Sequence, residues 1–120
     1  MATTDWRARE GRNQTHFRDV NESFVTERVT NLGTPPAKDP YVCECSDRDC
    51  SDEIRLTRAE YEAVRYESER FAIALDHDNP EIDRLVSEND RFAVVQILYR
   101  PAARLAQLTD RRRYPGPAVA

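Results

Sequence analysis

Three cysteines lie close together in the middle of the chain, at Cys43, Cys45 and Cys50. If the first two are on a strand, their thiols point to the same face and can reach one ion. The polar turn 46–49 then folds Cys50 back onto them. Three thiolates in so small a volume repel one another, and a divalent cation relieves that repulsion. Zinc suits sulfur and imidazole ligands best, so this spacing predicts a structural zinc site.

The fourth ligand of such a site is expected to be a histidine, and the chain has two. His77 follows the cysteines in a predicted turn, whereas His16 lies inside a predicted helix beside Phe17. We favour His77, since structural zinc sites commonly take a ligand from a second element. Four aspartates are reserve oxygen ligands, although capping turn amides suits them better. They are Asp47, Asp49, Asp76 and Asp78.

The cysteines also have interpretations without a structural metal. They could be reactive redox thiols or inert buried residues. A disulfide between Cys43 and Cys45 would be strained, and any single pairing leaves one thiol free. The polar residues around the cysteines argue against a core run, so metal binding remains the preferred interpretation.

Length and composition restrict the class of protein. The chain has 120 residues, of which 39% are hydrophobic and 33% charged, which suits one small domain and excludes a multidomain enzyme. The sequence shows neither a membrane-spanning segment nor a secretory signal. We therefore expect a cytoplasmic protein, and in such a reducing compartment clustered cysteines more often hold metal than form disulfides. The net charge of -4 combines an acidic middle with basic ends.

Four segments are predicted along the chain. Residues 1–32 form an amphipathic N-terminal helix, whose stripe consists of Phe17, Val20, Phe24, Arg28 and Leu32. Residues 33–40, with their glycine and prolines, form a linker. Residues 41–110 form a zinc-binding α+β domain, and residues 111–120 form a disordered basic tail.

Local signals place the elements inside the central domain. Strands are predicted at 41–45, 53–56, 71–75 and 92–99, the last as a central strand. Thr57 and Glu60 form a capping box that begins a helix at 58–66. Asn79 and Pro80 are expected to begin another helix, with a buried stripe of Ile82, Leu85 and Val86. Pro101 begins the last helix.

Together these elements predict an α+β fold with one small sheet of about four strands and flanking helices, held by a structural zinc knuckle.

The cysteine motif and the segment after it resemble a group of short, uncharacterised bacterial proteins. The matching features are an aromatic-Val-Cys-Glu-Cys-x4-Cys motif, a Leu-Thr-x-x-Glu-Tyr-Glu-x-Val-Arg segment, a histidine and a Pro-Glu helix start. They fall here at residues 41–45, Cys50, residues 56–65, His77 and residues 80–81. In that group the histidine usually follows Pro-Gly, whereas this chain has Leu75 and Asp76. The resemblance implies no particular activity.

The motifs of common enzymes are missing. Three glycines, far apart, do not make a phosphate-binding loop, and no nucleophile with a base is identifiable. Three thiolates also make zinc a poor Lewis acid. We therefore expect a non-enzymatic regulatory or adaptor module that binds another macromolecule, a protein in the first instance.

Phe17, Val20 and Phe24 are the predicted contact residues, with Trp6 and Tyr114 as further exposed aromatics. The same stripe could instead pack on the protein's own core. The first alternative function is a nucleic-acid or ribonucleoprotein binder that uses the arginines of both ends, which are Arg7, Arg9, Arg12 and residues 111–113. The second is a zinc-thiolate redox switch, in which oxidation of the thiols ejects the ion.

Overall fold

The computed structural model describes residues 5–30 and 38–113, with the side chains of residues 24–30 excepted. The described elements are three helices and five strands. In chain order they are α1 (Trp6–Thr30), β1 (Asp39–Val42), β2 (Glu53–Leu56), α2 (Arg58–Arg65), β3 (Arg70–Ile73), β4 (Asp83–Glu88), β5 (Ala93–Ile97) and α3 (Arg100–Leu108). No helix in these ranges has the length and apolar character needed to cross a membrane.

The strands form two antiparallel sheets, so the α+β class is confirmed and the single sheet of about four strands is wrong. β1 and β2 make a two-stranded hairpin, in which Tyr41 lies opposite Ile54. The second sheet has the order β3-β5-β4. Its centre is β5, as the apolar run predicts, and Val95 lies opposite Phe71 on one side and Leu85 on the other.

Two clusters of buried side chains lie on opposite faces of the three-stranded sheet. The first joins the hairpin and α2 to the sheet, and its Tyr41 and Tyr61 rings stack with centroids 4.4 Å apart. The second joins the sheet to α3 through Ala102 and Ala106. Cys43 and Cys45 belong to this second cluster. The cysteine motif therefore lies at the edge of the apolar core.

The start of α2 follows its sequence signal. The Thr57 hydroxyl accepts from the Glu60 amide at 3.1 Å, and the Glu60 carboxylate accepts from the Thr57 amide at 2.8 Å, which makes the predicted capping box. Arg91 donates to both oxygens of Glu60, and this contact lowers the pKa of that carboxyl to about 2.

The predicted helix after Asn79 is wrong, because the chain makes one turn there and then enters β4. The Asn79 carbonyl accepts from the amides of Ile82 and Asp83, which is the single turn. The Ile82 carbonyl then accepts from Leu98, which places the chain beside the end of β5. Pairing with β5 thus overrides the local helix signal. Ile82 is buried, but Leu85 and Val86 are exposed.

Helix α1 exists as predicted, but its docked face is polar. Gln14, Arg18 and Asn21 are fully buried, whereas Phe17 and Val20 are half-buried. The side chains of Phe24 and Arg28, and the whole of Leu32, lie outside the described residues. Polar side chains can form such a face because each finds hydrogen-bond partners on the body.

Two boundaries of the predicted segments differ from the structure. Most of the predicted linker lies outside the described residues, but Asp39 and Pro40 belong to β1. At the other end, residues 111–113 form a turn instead of a free tail. There Arg112 contacts Glu22 and Glu62. Residues 114–120, including Tyr114, lie outside the described part of the chain.

Candidate metal centre

Cys43, Cys45, Cys50 and His77 meet at one point and could hold a metal ion. Their four ligand atoms all lie within 4.8 Å of one another. His77 Nδ1 is 3.5 Å from the Cys43 sulfur and 3.6 Å from the Cys50 sulfur. In a tetrahedral site with metal–sulfur and metal–nitrogen bonds of about 2.3 and 2.0 Å, sulfur and nitrogen are about 3.5 Å apart. The observed separations match that value.

Backbone hydrogen bonds position the first two cysteines. β1 ends at Val42, and beyond it the Cys43 amide donates to the Asp52 carbonyl at 2.9 Å. The Glu44 amide donates to the Ala72 carbonyl of β3 at 2.8 Å. The chain therefore crosses from the hairpin to the three-stranded sheet just where it carries the thiols.

A tight turn returns Cys50 to the other two cysteines. Its amide donates to the Asp47 carbonyl at 3.0 Å, and the Asp49 amide donates to the Asp47 carboxylate at the same distance. This is the turn that the sequence predicts. The four reserve aspartates are not part of the cluster, and the Asp47 carboxylate instead accepts from the Asp49 amide of the turn.

His77 reaches the cluster from the connection between β3 and β4. Asp76 adopts a positive φ of 66°, and the His77 amide donates to the Ala74 carbonyl at 3.2 Å. The second ring nitrogen, Nε2, lies 3.1 Å from the Asp52 carboxylate. A carboxylate on the far nitrogen fixes the ring orientation and leaves Nδ1 as the donor to a metal. His16 is exposed on α1, away from the cluster.

Hydrogen bonding among the thiols makes them unequal. The interaction between Cys43 and Cys45 lowers the pKa of Cys45 to about 5 and raises that of Cys43. Burial raises the pKa of Cys50. The Ala74 amide also donates to the Cys43 sulfur at 3.1 Å. Metal binding to these sulfurs would displace the protons that they carry.

Two acidic residues that support the cluster have no obvious sequence signal. Asp52 orients the histidine through its contact with Nε2. Glu44, between the two cysteines, is completely buried and accepts hydrogen bonds from Asn21, Tyr61 and the Ala72 amide. A glutamate in a polar stretch is ordinarily expected to face solvent. Only its alternation with the cysteines indicates that it points away from them.

No protein-family model matches the chain, and neither a curated protein nor a solved structure is similar enough to it to count as a match.

Proposed function

We propose that this chain is a small zinc protein in which the metal has a structural role. The observation that supports this best is the meeting of three sulfurs and one imidazole nitrogen within 4.8 Å. Such a set fills all four positions of tetrahedral zinc and leaves none for a substrate or a reactive water. A non-enzymatic role follows from the same donor set, because thiolate ligands weaken the Lewis acidity of the ion.

In this proposal zinc ties together two parts of the fold that belong to different sheets. The three cysteines lie in the connection between β1 and β2, and His77 lies in the connection between β3 and β4. A bound ion would therefore join the hairpin to the three-stranded sheet. We place the protein in the cytoplasm, where thiols stay reduced and available for zinc.

Metal analysis of the purified protein tests this proposal. We expect one zinc per chain, lost in Cys50→Ser and greatly weakened in His77→Ala. His16→Ala is the matched control, because it removes the other histidine from an exposed position and should leave zinc unchanged. Protein that is metal-free and takes up no added zinc would contradict the proposal.

For the role of the domain, we propose an adaptor that binds a protein through apolar side chains of α1. The docked face of this helix uses Gln14, Arg18 and Asn21, and Phe17 and Val20 are less buried than these three residues. Both are half-buried, and Phe24 continues their spacing. Apolar side chains at this spacing on a docked helix suit recognition of another protein.

Nucleic-acid binding receives less support from the basic ends. Arg112 is paired with Glu22 and Glu62, and Arg113 donates to the Tyr66 carbonyl at 2.8 Å. Arg7 stacks over the Trp6 ring with its guanidinium carbon 4.5 Å from the centroid. These arginines are engaged within the chain, which leaves fewer free cations for a phosphate backbone.

A pull-down comparison separates the two kinds of partner. Wild-type protein should retain a protein partner as the salt concentration is raised. The double variant Phe17→Asp, Val20→Asp should lose that binding. Arg9→Glu with Arg12→Glu should leave that binding unchanged. The opposite pattern, with a steep loss of binding between low and moderate salt, would indicate nucleic acid instead.

A further inference from the structure

The segment 42–46 faces the metal centre on one side and α1 on the other. Cys43 and Cys45 direct their sulfurs into the cluster. The residues that alternate with them, Val42, Glu44 and Ser46, all bond to side chains of α1. Alternation of this kind is the normal geometry of an extended chain. The helix and the metal ligands thus share one short piece of backbone.

Asn21 holds this segment much as a neighbouring strand would. Its Oδ1 accepts from the Val42 amide at 2.8 Å, and its Nδ2 donates to the Val42 carbonyl at 2.9 Å. The same Nδ2 donates to Glu44 Oε2, also at 2.9 Å. Asn21 is completely buried, so loss of its amide would remove one hydrogen-bond partner from each of these backbone and carboxylate groups, away from water.

Glu44 connects the same segment to the rest of the fold. Besides the bond from Asn21, its Oε2 accepts from the Tyr61 hydroxyl of α2 at 2.7 Å. Its Oε1 accepts from the Ala72 amide of β3 at 3.0 Å. The Glu44 carboxylate is thus held by α1, α2 and β3. These contacts fix the backbone between Cys43 and Cys45.

A second asparagine of α1 holds the end of the segment. Asn13 Nδ2 donates to the Ser46 carbonyl at 2.8 Å, directly after Cys45. Ser46 is in turn contacted by Asn79, two residues after His77. The contacts of α1 therefore extend along the whole ligand segment and reach the connection that carries the histidine.

We propose that Asn21 and Glu44 are positioning residues of the metal centre, and that α1 preorganises the ligands. This inference rests on the proposed metal binding. A ligand segment already held in shape loses little conformational entropy when the ion binds, whereas a released segment must be ordered at that moment. Groups that orient ligands from outside typically change metal affinity by about 10- to 100-fold when removed.

Metal titration of Asn21→Ala against Gln14→Ala tests this role. Gln14 is also completely buried on α1, but it bonds to Asp83 and not to the ligand segment. The probes are Co²⁺, followed by its thiolate absorption, and Zn²⁺ in competition with a coloured chelator. We expect Asn21→Ala to bind both ions at least about tenfold more weakly. Gln14→Ala should lower the unfolding temperature comparably and change affinity by less than about threefold.

One outcome would contradict the proposed metal site, and another would contradict the positioning role of Asn21. If wild type binds neither ion, the proposed metal site itself is wrong. If wild type binds them and the two variants have equal affinity, Asn21 serves only to dock the helix, and the inference is overturned. As a further check, Glu44→Gln should weaken binding like Asn21→Ala, because an amide cannot accept hydrogen bonds at both of its terminal atoms.

Discussion

Buried polar side chains are concentrated where α1 meets the body, and Asp83 is the one whose ionisation carries a clear energetic consequence. Gln14 Nε2 donates to its two oxygens at 3.0 and 3.2 Å, and the Asn79 amide donates to one of them at 3.3 Å. Burial nevertheless dominates and raises the pKa of the Asp83 carboxyl to about 6. Gln14 Oε1, beside it, is buried without a partner within the described residues.

Asp83→Asn should therefore change how stability depends on pH. The ordinary pKa of an aspartate is 3.8, against about 6 in this fold, so Asp83 binds its proton more tightly in the folded protein than in the unfolded chain. Its contribution to stability is complete below about pH 4 and is lost as pH rises through 6. The loss amounts to about 3 kcal/mol by pH 7.

The measurement is urea unfolding of both proteins between pH 4 and pH 7. The difference in unfolding free energy, wild type minus Asp83→Asn, should fall across this range. Asn at this position can accept from the Asn79 amide and donate to the free Gln14 Oε1. Asp90→Asn, at an exposed turn, is the control and should show no such trend. Parallel curves for wild type and Asp83→Asn would refute the prediction.

At the scale of elements, α1 is attached to α3 by the buried side chain of Arg18 and by a close contact between the two helices. The buried Arg18 guanidinium donates to the Ser68 carbonyl at 2.8 Å and to the Ala106 carbonyl of α3 at 3.0 Å. It also lies over the Phe71 ring, 5.2 Å from its centroid. The close approach is at Gly11, where an added Cβ would be 2.5 Å from the Cβ of Ala102.

Gly11→Ala should destabilise the protein even though alanine favours helix by about 1 kcal/mol. The added methyl cannot fit against Ala102 unless the helices separate, and overpacking of this kind costs about 1–3 kcal/mol. Ala102→Gly should relieve the clash, so the double variant should be more stable than Gly11→Ala alone. Thermal unfolding of the three variants measures this. A stabilised Gly11→Ala would show that α1 and α3 are not in close contact.

Elements with local signals are predictable from the sequence, and those that depend on distant partners are not. The capping box of α2, the apolar run of β5 and Pro101 at the start of α3 are each encoded within a few residues. The local sequence around β4 predicts a helix. These residues form a strand because they pair with β5, which lies later in the chain. A search for apolar periodicity does not find the docked face of α1, because this face is polar. Hydrogen bonds from Arg18 and Asn21 take the place of apolar contacts there.

The same distinction applies to the candidate metal centre. Cysteine spacing is local, so the three sulfurs can be identified, and the scarcity of histidines leaves few choices for the fourth ligand. Asp52 and Glu44 act on the ligands through contacts made by folding, with the ring of His77 and with Asn21. Apart from the alternation of Glu44 with the cysteines, no spacing rule identifies such residues. For the whole molecule, the consequence is that the candidate metal ligands can be predicted from the sequence. The residues that support them can be identified only from the structure.

Removal of the proposed metal should destabilise the whole molecule, and most strongly the parts that the ion would join. Because structural zinc contributes folding free energy directly, chelation should cost at least about 3 kcal/mol, or roughly 10 °C in Tm for a domain of this size. Amide exchange should accelerate first at residues 42–50, at residues 74–79 and in the middle of α1. The end of α2 away from the centre should change least until global unfolding. Unchanged Tm and exchange after chelation of metal-loaded protein would mean that the two sheets and α1 hold together through their own contacts, and that the metal is dispensable to the fold.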